Sequence, residues 1–160
     1  PADTKGADAH DLAGSEYLQL IHGRVEGSPT IDIDLEKRVQ MLCRDAIERG
    51  LITSAHDCSE GGLTVALAEC SIQSGTGFTG DFPVDNRWDV TLFGERQSRI
   101  VAGLPEDQWD ALARLASDSK VPVVKLGYTG GDRFRLNGLV DLPISQISEV
   151  WNKGLEAASG

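Results

Sequence analysis

Hydrophobic positions along this chain follow two spacings, one helical and one alternating, and the changes between them mark its elements. The clearest helical stretch is Leu35–Arg49, where Leu35, Val39, Leu42, Cys43, Ala46 and Ile47 fall on one face. Asp32, Asp34 and Glu36 sit at the positive end of its dipole, and Gly50 suits the position after its last turn. Leu63 to about Gln73 is Ala/Leu-rich and apolar all round, which predicts a buried helix. Thr53–His56, just before it, reads as a short buried strand. Ser15–His22 predicts a short helix with Tyr17, Leu18 and Ile21 at helical spacing and Gly23 as its stop, and Arg24–Asp32 is a connector.

The second half reads as mostly strands. A short one lies around Gly77–Thr79, followed by a loop through Asn86. Trp88–Phe93 alternates, with Val90 and Leu92 opposed to Asp89, Thr91 and Phe93, and predicts a strand. Ser98–Leu104 predicts another, carrying Ile100, Ala102 and Leu104 on one face, with Gly94-Glu95-Arg96-Gln97 as a hairpin-like link. Pro105 opens a helix whose inner stripe is Trp109, Leu112, Ala113 and Ala116. Val121–Leu126 predicts a central strand. Gly130-Gly131-Asp132 turns the chain into Phe134–Leu136, and Asn137-Gly138 predicts a hairpin into Leu139–Leu142. Pro143 precedes a last helix with Ile144, Ile147, Trp151 and Leu155 on one face. This order predicts a loose α/β (α+β-like) fold, a mixed β-sheet with helices packed on it. Residues 1–14 read as a linker or leader, and 15–160 as a single domain.

Composition narrows the function classes. The 160 residues carry a formal net charge of −10, which argues against a surface built for nucleic acid or anionic membrane but leaves room for an anionic ligand held by backbone dipoles. No apolar run is long enough for a transmembrane helix, and nothing resembles a signal peptide. Cys43, Cys58 and Cys70 form no C-x-x-C pair, so a reducing, cytoplasmic location is expected. Cys43 and Cys70 fall on apolar helix positions. Cys58 lies in a turn with no assignable histidine partner.

Chemistry concentrates in two places. Asp57-Cys58-Ser59-Glu60-Gly61-Gly62 joins a strand to a helix. A glycine pair at such a turn lets backbone N–H groups approach a phosphate, which makes Ser59, Gly61 and Gly62 candidates for anion binding and Asp57 a candidate metal ligand. The same residues also fit a structural role, with Ser59 capping the helix and the glycines allowing close packing. The second cluster is Glu95, Arg96, Gln97 and Arg99. Arginines grip phosphate, and a glutamate near a glutamine can orient a hydroxylated ligand such as a ribose; a solvated, charged turn is the alternative. His10, His22 and His56 show no metal-ligand spacing, and no Ser-His-Asp, H-E-x-x-H or Walker-type pattern is present.

Ser54-Ala55-His56-Asp57-Cys58-Ser59-Glu60-Gly61-Gly62-Leu63, continuing Val65-Ala66-Leu67-Ala68-Glu69, resembles the phosphoribosylformylglycinamidine synthase family. Gly14-Ser15-Glu16-Tyr17-Leu18 with Ile21-His22-Gly23 is similar to that family's opening helix. Leu92-Phe93-Gly94-Glu95 with Ser98-Arg99-Ile100-Val101 is similar to its central connection, and Leu126-Gly127 through Gly131 to its late strand and turn. The resemblance runs from about Gly14 to the C-terminus and points to the C-terminal domain of the synthetase chain, a domain type shared with aminoimidazole ribonucleotide synthetase, selenophosphate synthetase and thiamine-monophosphate kinase.

The resemblance implies an ATP-dependent carbon–nitrogen ligase of purine biosynthesis, using ATP/ADP, Mg2+ and glutamine-derived ammonia. It implies two partners, the missing N-terminal ATP-binding domains of the same chain and a glutaminase subunit or domain. This chain would then be part of a longer polypeptide and inactive alone. In the equivalent domain of the first half of that duplicated chain, Asp57 matches a magnesium ligand, and Glu95 and Gln97 match the ends of a substrate-contacting Glu-Ser-Gln run in which Arg96 replaces serine. In the second half, the resemblance implies an auxiliary nucleotide site. Glu60 stands where Asp is usual. No histidine matches the family's catalytic one, so no catalytic residue is assigned. Two other functions are compatible with the sequence, a non-catalytic scaffold or interaction domain and the same domain of a related kinase or cyclo-ligase.

Overall fold

The computed structural model describes residues 9–84 and 87–158, and the side chains of residues 11–84 and 87–154. Most of the leader, the end of the loop through Asn86, the side chain of His10 and the expected inward position of Leu155 lie outside the described residues. The chain divides into two compact units, the first within 1–66 and 85–124 and the second within 67–84 and 125–160.

The first unit is built on two helices, α2 (Ile33–Glu48) and α5 (Trp109–Asp118). The stripe on α2 buries Val39 and Leu42 with Ala116 of α5 and Val121, and Leu35, Ile100, Leu115 and Val123 pack against them. Lower down, Ala46, Ile52 and Leu112 are buried together. Ile47, at the margin of that stripe, is instead 56% exposed. Asp32 caps α2, its Oδ1 accepting from Asp34 N at 3.0 Å and Leu35 N at 2.9 Å. Such a cap contributes about 1 kcal/mol.

Helix α1 (Glu16–His22) starts at Ser15, whose Oγ accepts from Leu18 N at 3.3 Å, and ends at Gly23. It buries no residue fully, and Ile21 is 63% exposed. What anchors it is Tyr17, stacked on Phe93 at 5.0 Å between centroids.

Two strands, β1 (Ser54–Asp57) and β3 (Ile100–Gly103), pair antiparallel with Ser54 opposite Gly103. The expected burial of the first is corrected: Ser54, Ala55 and Asp57 are exposed, and among the described residues β1 pairs with β3 alone, so it lies at the edge of a two-stranded sheet. Three more expectations change here. Trp88–Phe93 is a helix, α4, not a strand. Val90 and Leu92 are both buried, yet a six-residue stretch is too short to separate alternation from a helical turn. The Gly94–Gln97 link therefore joins a helix to a strand and is no hairpin. Residues 121–126 form no strand either. Pro122 cannot donate to a ladder, and Val124 is 50% exposed, while Val121 and Val123 serve the α2–α5 core from extended backbone.

Helix α3 (Gly62–Ser74) begins in the first unit and ends in the second. The second unit holds β2 (Phe78–Gly80), β4 (Gly127–Thr129), β5 (Arg133–Leu136) and β6 (Val140–Pro143) in one sheet ordered β4-β2-β5-β6. β2 runs antiparallel to β4 but parallel to β5, so the sheet is mixed as expected. Asn137 and Gly138 take positive φ, and Leu139 N donates to Leu136 O at 2.7 Å, making the anticipated β5–β6 turn. Phe134 is 1% exposed and Leu136 fully buried, with Phe78 and Phe134 centroids 6.1 Å apart. α6 (Ile144–Ala158) follows β6 directly. No helix among the described residues is long and apolar enough to cross a membrane.

Phe134→Ala should remove about 3–5 kcal/mol from the second unit, read as a lower urea midpoint. A loss below about 1 kcal/mol contradicts this assignment of the core.

Candidate functional site

β1 ends at Asp57 and α3 begins at Gly62, so the glycine turn occupies the gap between a strand end and a helix start. Cys58 N donates to Arg99 O at 3.0 Å, and Gly62 N donates to Ser59 O at 3.1 Å, which closes the turn. Ser59 Oγ donates to Asp57 Oδ2. This hydroxyl, followed by a backbone N–H, holds the Asp57 carboxyl below the usual carboxylate range, and His56 adds to the effect from 4.0 Å. The ring Nδ1 of His56 lies 2.7 Å from Asp57 O.

The glycines are explained by close approach. Gly61 has φ +79° and Gly62 φ +69°. A Cβ on Gly62 would stand 2.7 Å from Gly94 O and 2.8 Å from Phe93 C, so the end of α4 rests directly on the start of α3. That contact delivers Glu95. Its Oε1 accepts from Gly61 N at 2.8 Å and from Glu16 N, at the start of α1, at 2.9 Å.

Arg99 is turned inward on its own loop. Its Nη2 donates to Gly94 O and its Nε to Arg96 O at 3.3 Å. Burial pushes its guanidinium below the ordinary arginine value, although Cys58 and Asp11 oppose that shift. Ser98, between Gln97 and Arg99, has φ +64°, a backbone conformation that side chains other than glycine seldom take.

These segments line a cleft of about 610 Å³ lying wholly within the first unit. Of the residues singled out by sequence, Asp57, Ser59, Glu95, Gln97 and Arg99 line it, whereas Gly61, Gly62 and Arg96 do not. Ala13, Gly14, Pro29, Glu36, Val39 and Gln40 form its other side. Glu36 and Gln40 come from α2, which the hydrophobic spacing marks only as a packed helix. They are an i, i+4 pair with Gln40 Nε2 donating to Glu36 Oε1 at 2.6 Å, and that spacing was the available signal. The positive φ of Ser98 had none.

Among the described residues, no group of three or more His, Cys, Asp or Glu could hold a metal. A cation here would be a hard one held through one or two carboxylates, with water and ligand oxygens completing its shell, as magnesium is bound beside phosphates.

The family described as AIR synthase related protein, C-terminal domain, matches residues 5–137. The chain belongs to this family. Phosphoribosylformylglycinamidine synthase subunit PurL of Thermomicrobium roseum is 46% identical over 155 residues, an overlap covering 94% of this chain and 21% of the relative. The subunit of the same name from Synechocystis is 41% identical over 157 residues, covering 92% and 20%. The AIR synthase related domain described here thus spans about a fifth of these relatives. Phosphoribosylformylglycinamidine synthase II of Thermotoga maritima matches in structure with TM-score 0.66 and 17% identity, over 75% of this chain and 22% of that one. PurLQS from the same organism matches at TM-score 0.66 and 18% identity, over 85% and 24%. These structural likenesses establish the shared fold.

Ser59→Ala should raise the Asp57 titration toward the ordinary carboxylate value in a carbon-13 NMR titration, because the largest cause of its lowering is removed. The contribution to stability from a lowered carboxyl is complete above its unfolded value and is lost as pH falls through the folded one. The variant should therefore be less stable than the parent at neutral pH, with the gap closing as pH falls through the carboxylate range, and an unchanged Asp57 titration contradicts the assignment.

Proposed function

We propose that this domain serves an ATP-dependent phosphoribosylformylglycinamidine synthase as one wall of a phosphate-lined pocket. The whole reaction would convert formylglycinamide ribonucleotide, ATP and glutamine-derived ammonia to the amidine, ADP and phosphate. In it, ATP phosphorylates the amide oxygen and ammonia displaces that oxygen as phosphate. The observation that carries the reading is the convergence of Asp57, Ser59 and Gln97 on one cleft in a chain 46% identical to a subunit of such a synthase. Thermotoga maritima PurL has been solved complexed with FGAR, with ATP and with ADP, which supports a pocket for nucleotide or ribonucleotide. Asp57 would hold magnesium bound to the phosphates, Ser59 would fix Asp57, and Gln97 would face the ligand.

The partners we propose are the ATP-binding domains of the same polypeptide and a glutaminase, as the PurLQS assembly of Thermotoga maritima suggests. A cytoplasmic location accompanies this role. The 160-residue chain should show no turnover with ATP and ammonia. A second reading, a scaffold domain, is favoured by Gly61 N and the Arg99 guanidinium, whose hydrogen bonds go to groups inside the fold.

Calorimetric titration of magnesium–ADP separates the two. Binding weakened by roughly tenfold or more in Asp57→Ala supports the ligand site, since loss of a charged ligand group is worth about that much. Equal binding by both proteins, or none by the parent at millimolar nucleotide, contradicts it and favours the scaffold.

A further inference from the structure

We propose that Glu95 is a positioning residue, which builds the cleft without touching the ligand; the proposal rests on the reading that the cleft takes a magnesium-bound nucleotide. One of its oxygens is already committed. Oε1 accepts from Gly61 N at 2.8 Å and Glu16 N at 2.9 Å, and a carboxylate oxygen has two lone-pair directions to give. The main chain of Glu95 is fixed as well, its N–H donating to Asp11 O at 2.9 Å. The residue therefore joins three separate segments: the turn around Asp11, the first residue of α1 and the glycine turn.

The consequence for the cleft follows from the chain. Gly61 N sits two residues beyond Ser59, and Gly62 N returns to Ser59 O at 3.1 Å. Ser59 in turn holds Asp57 through its hydroxyl. Fixing Gly61 to Glu95 thus fixes the Asp57–Ser59 pair against Gln97, which follows Glu95 by two residues. The geometry uses an acceptor oxygen rather than a negative charge, and a carboxamide supplies the same oxygen. That separates a positioning residue from a carboxylate that binds a metal or a ligand cation.

The test compares Glu95→Gln with Glu95→Ala in the 160-residue chain. The first readout needs no ligand: amide exchange and proton shifts of Gly61 and Glu16 by nitrogen-15 NMR. Glu95→Ala should speed exchange at both amides by about tenfold or more, and Glu95→Gln should stay within about threefold of the parent. The second is magnesium–ADP affinity, expected to fall about tenfold in Glu95→Ala and to be largely restored in Glu95→Gln. Glu95→Gln as damaging as Glu95→Ala, with both amides unchanged, makes the carboxylate a contact group and overturns the proposal. If Glu95→Ala does not fold, Glu95→Gln decides alone, native amide shifts supporting the role and displaced ones refuting it. If the parent binds no nucleotide, the functional reading fails, while the two amides still decide whether Glu95 positions the turn.

Discussion

A helix start leaves backbone N–H groups without partners, and in this domain one carboxylate oxygen serves two helix starts at once. Glu95 Oε1 takes Glu16 N of α1 and Gly61 N just ahead of α3. Each such hydrogen bond contributes about 1 kcal/mol, and leaving either N–H unpaired would cost about 1–3 kcal/mol. This arrangement exists only because the neighbouring backbones touch. Gly62 has no Cβ to strike Gly94 O, so the end of α4 can lie against the start of α3 and bring Glu95 within reach. Gly94 has none to strike Val90 O, which would stand 2.4 Å away, at the last turn of α4 itself.

That packing also shapes the cleft. The glycine turn ends β1 and supplies Asp57 and Ser59, while the segment after Glu95 supplies Gln97 and runs into β3. β1 and β3 pair directly, Asp57 opposite Ile100, so the two polar clusters are held side by side at one end of a two-stranded ladder. α2 closes the far side with Glu36 and Gln40. The cleft carries carboxylates from Glu36, Asp57, Glu60 and Glu95, and the Arg99 guanidinium donates to its own loop. A bare anion would meet repulsion there, whereas a phosphate carrying a divalent cation would be matched to Asp57.

Much of the fold was legible wherever the pattern was long. α2 and α3 run over 16 and 13 residues, long enough for helical spacing or all-round apolarity to declare itself. The Asn137-Gly138 turn was legible because both residues tolerate positive φ. α4 was not, since Val90 and Leu92 alternate in a helix too short to show its period. The valines of 121–126 suggested a strand, but burial of Val121 and Val123 against the α2–α5 core needs no ladder. Of the candidate site, both clusters were legible as chemistry. Their different uses were not: whether Gly61 meets a phosphate or a glutamate depends on a contact between residues 34 positions apart.

We propose that the cleft framed by the glycine turn and the Glu95–Arg99 segment is where this domain meets its ligand. Mapping amide shifts by nitrogen-15 NMR as magnesium–ADP is added tests it most directly. Saturable changes are expected in residues 57–62 and 95–99, with the 130–138 turns of the second unit unmoved. Changes centred in the second unit, with those two segments silent, would contradict it.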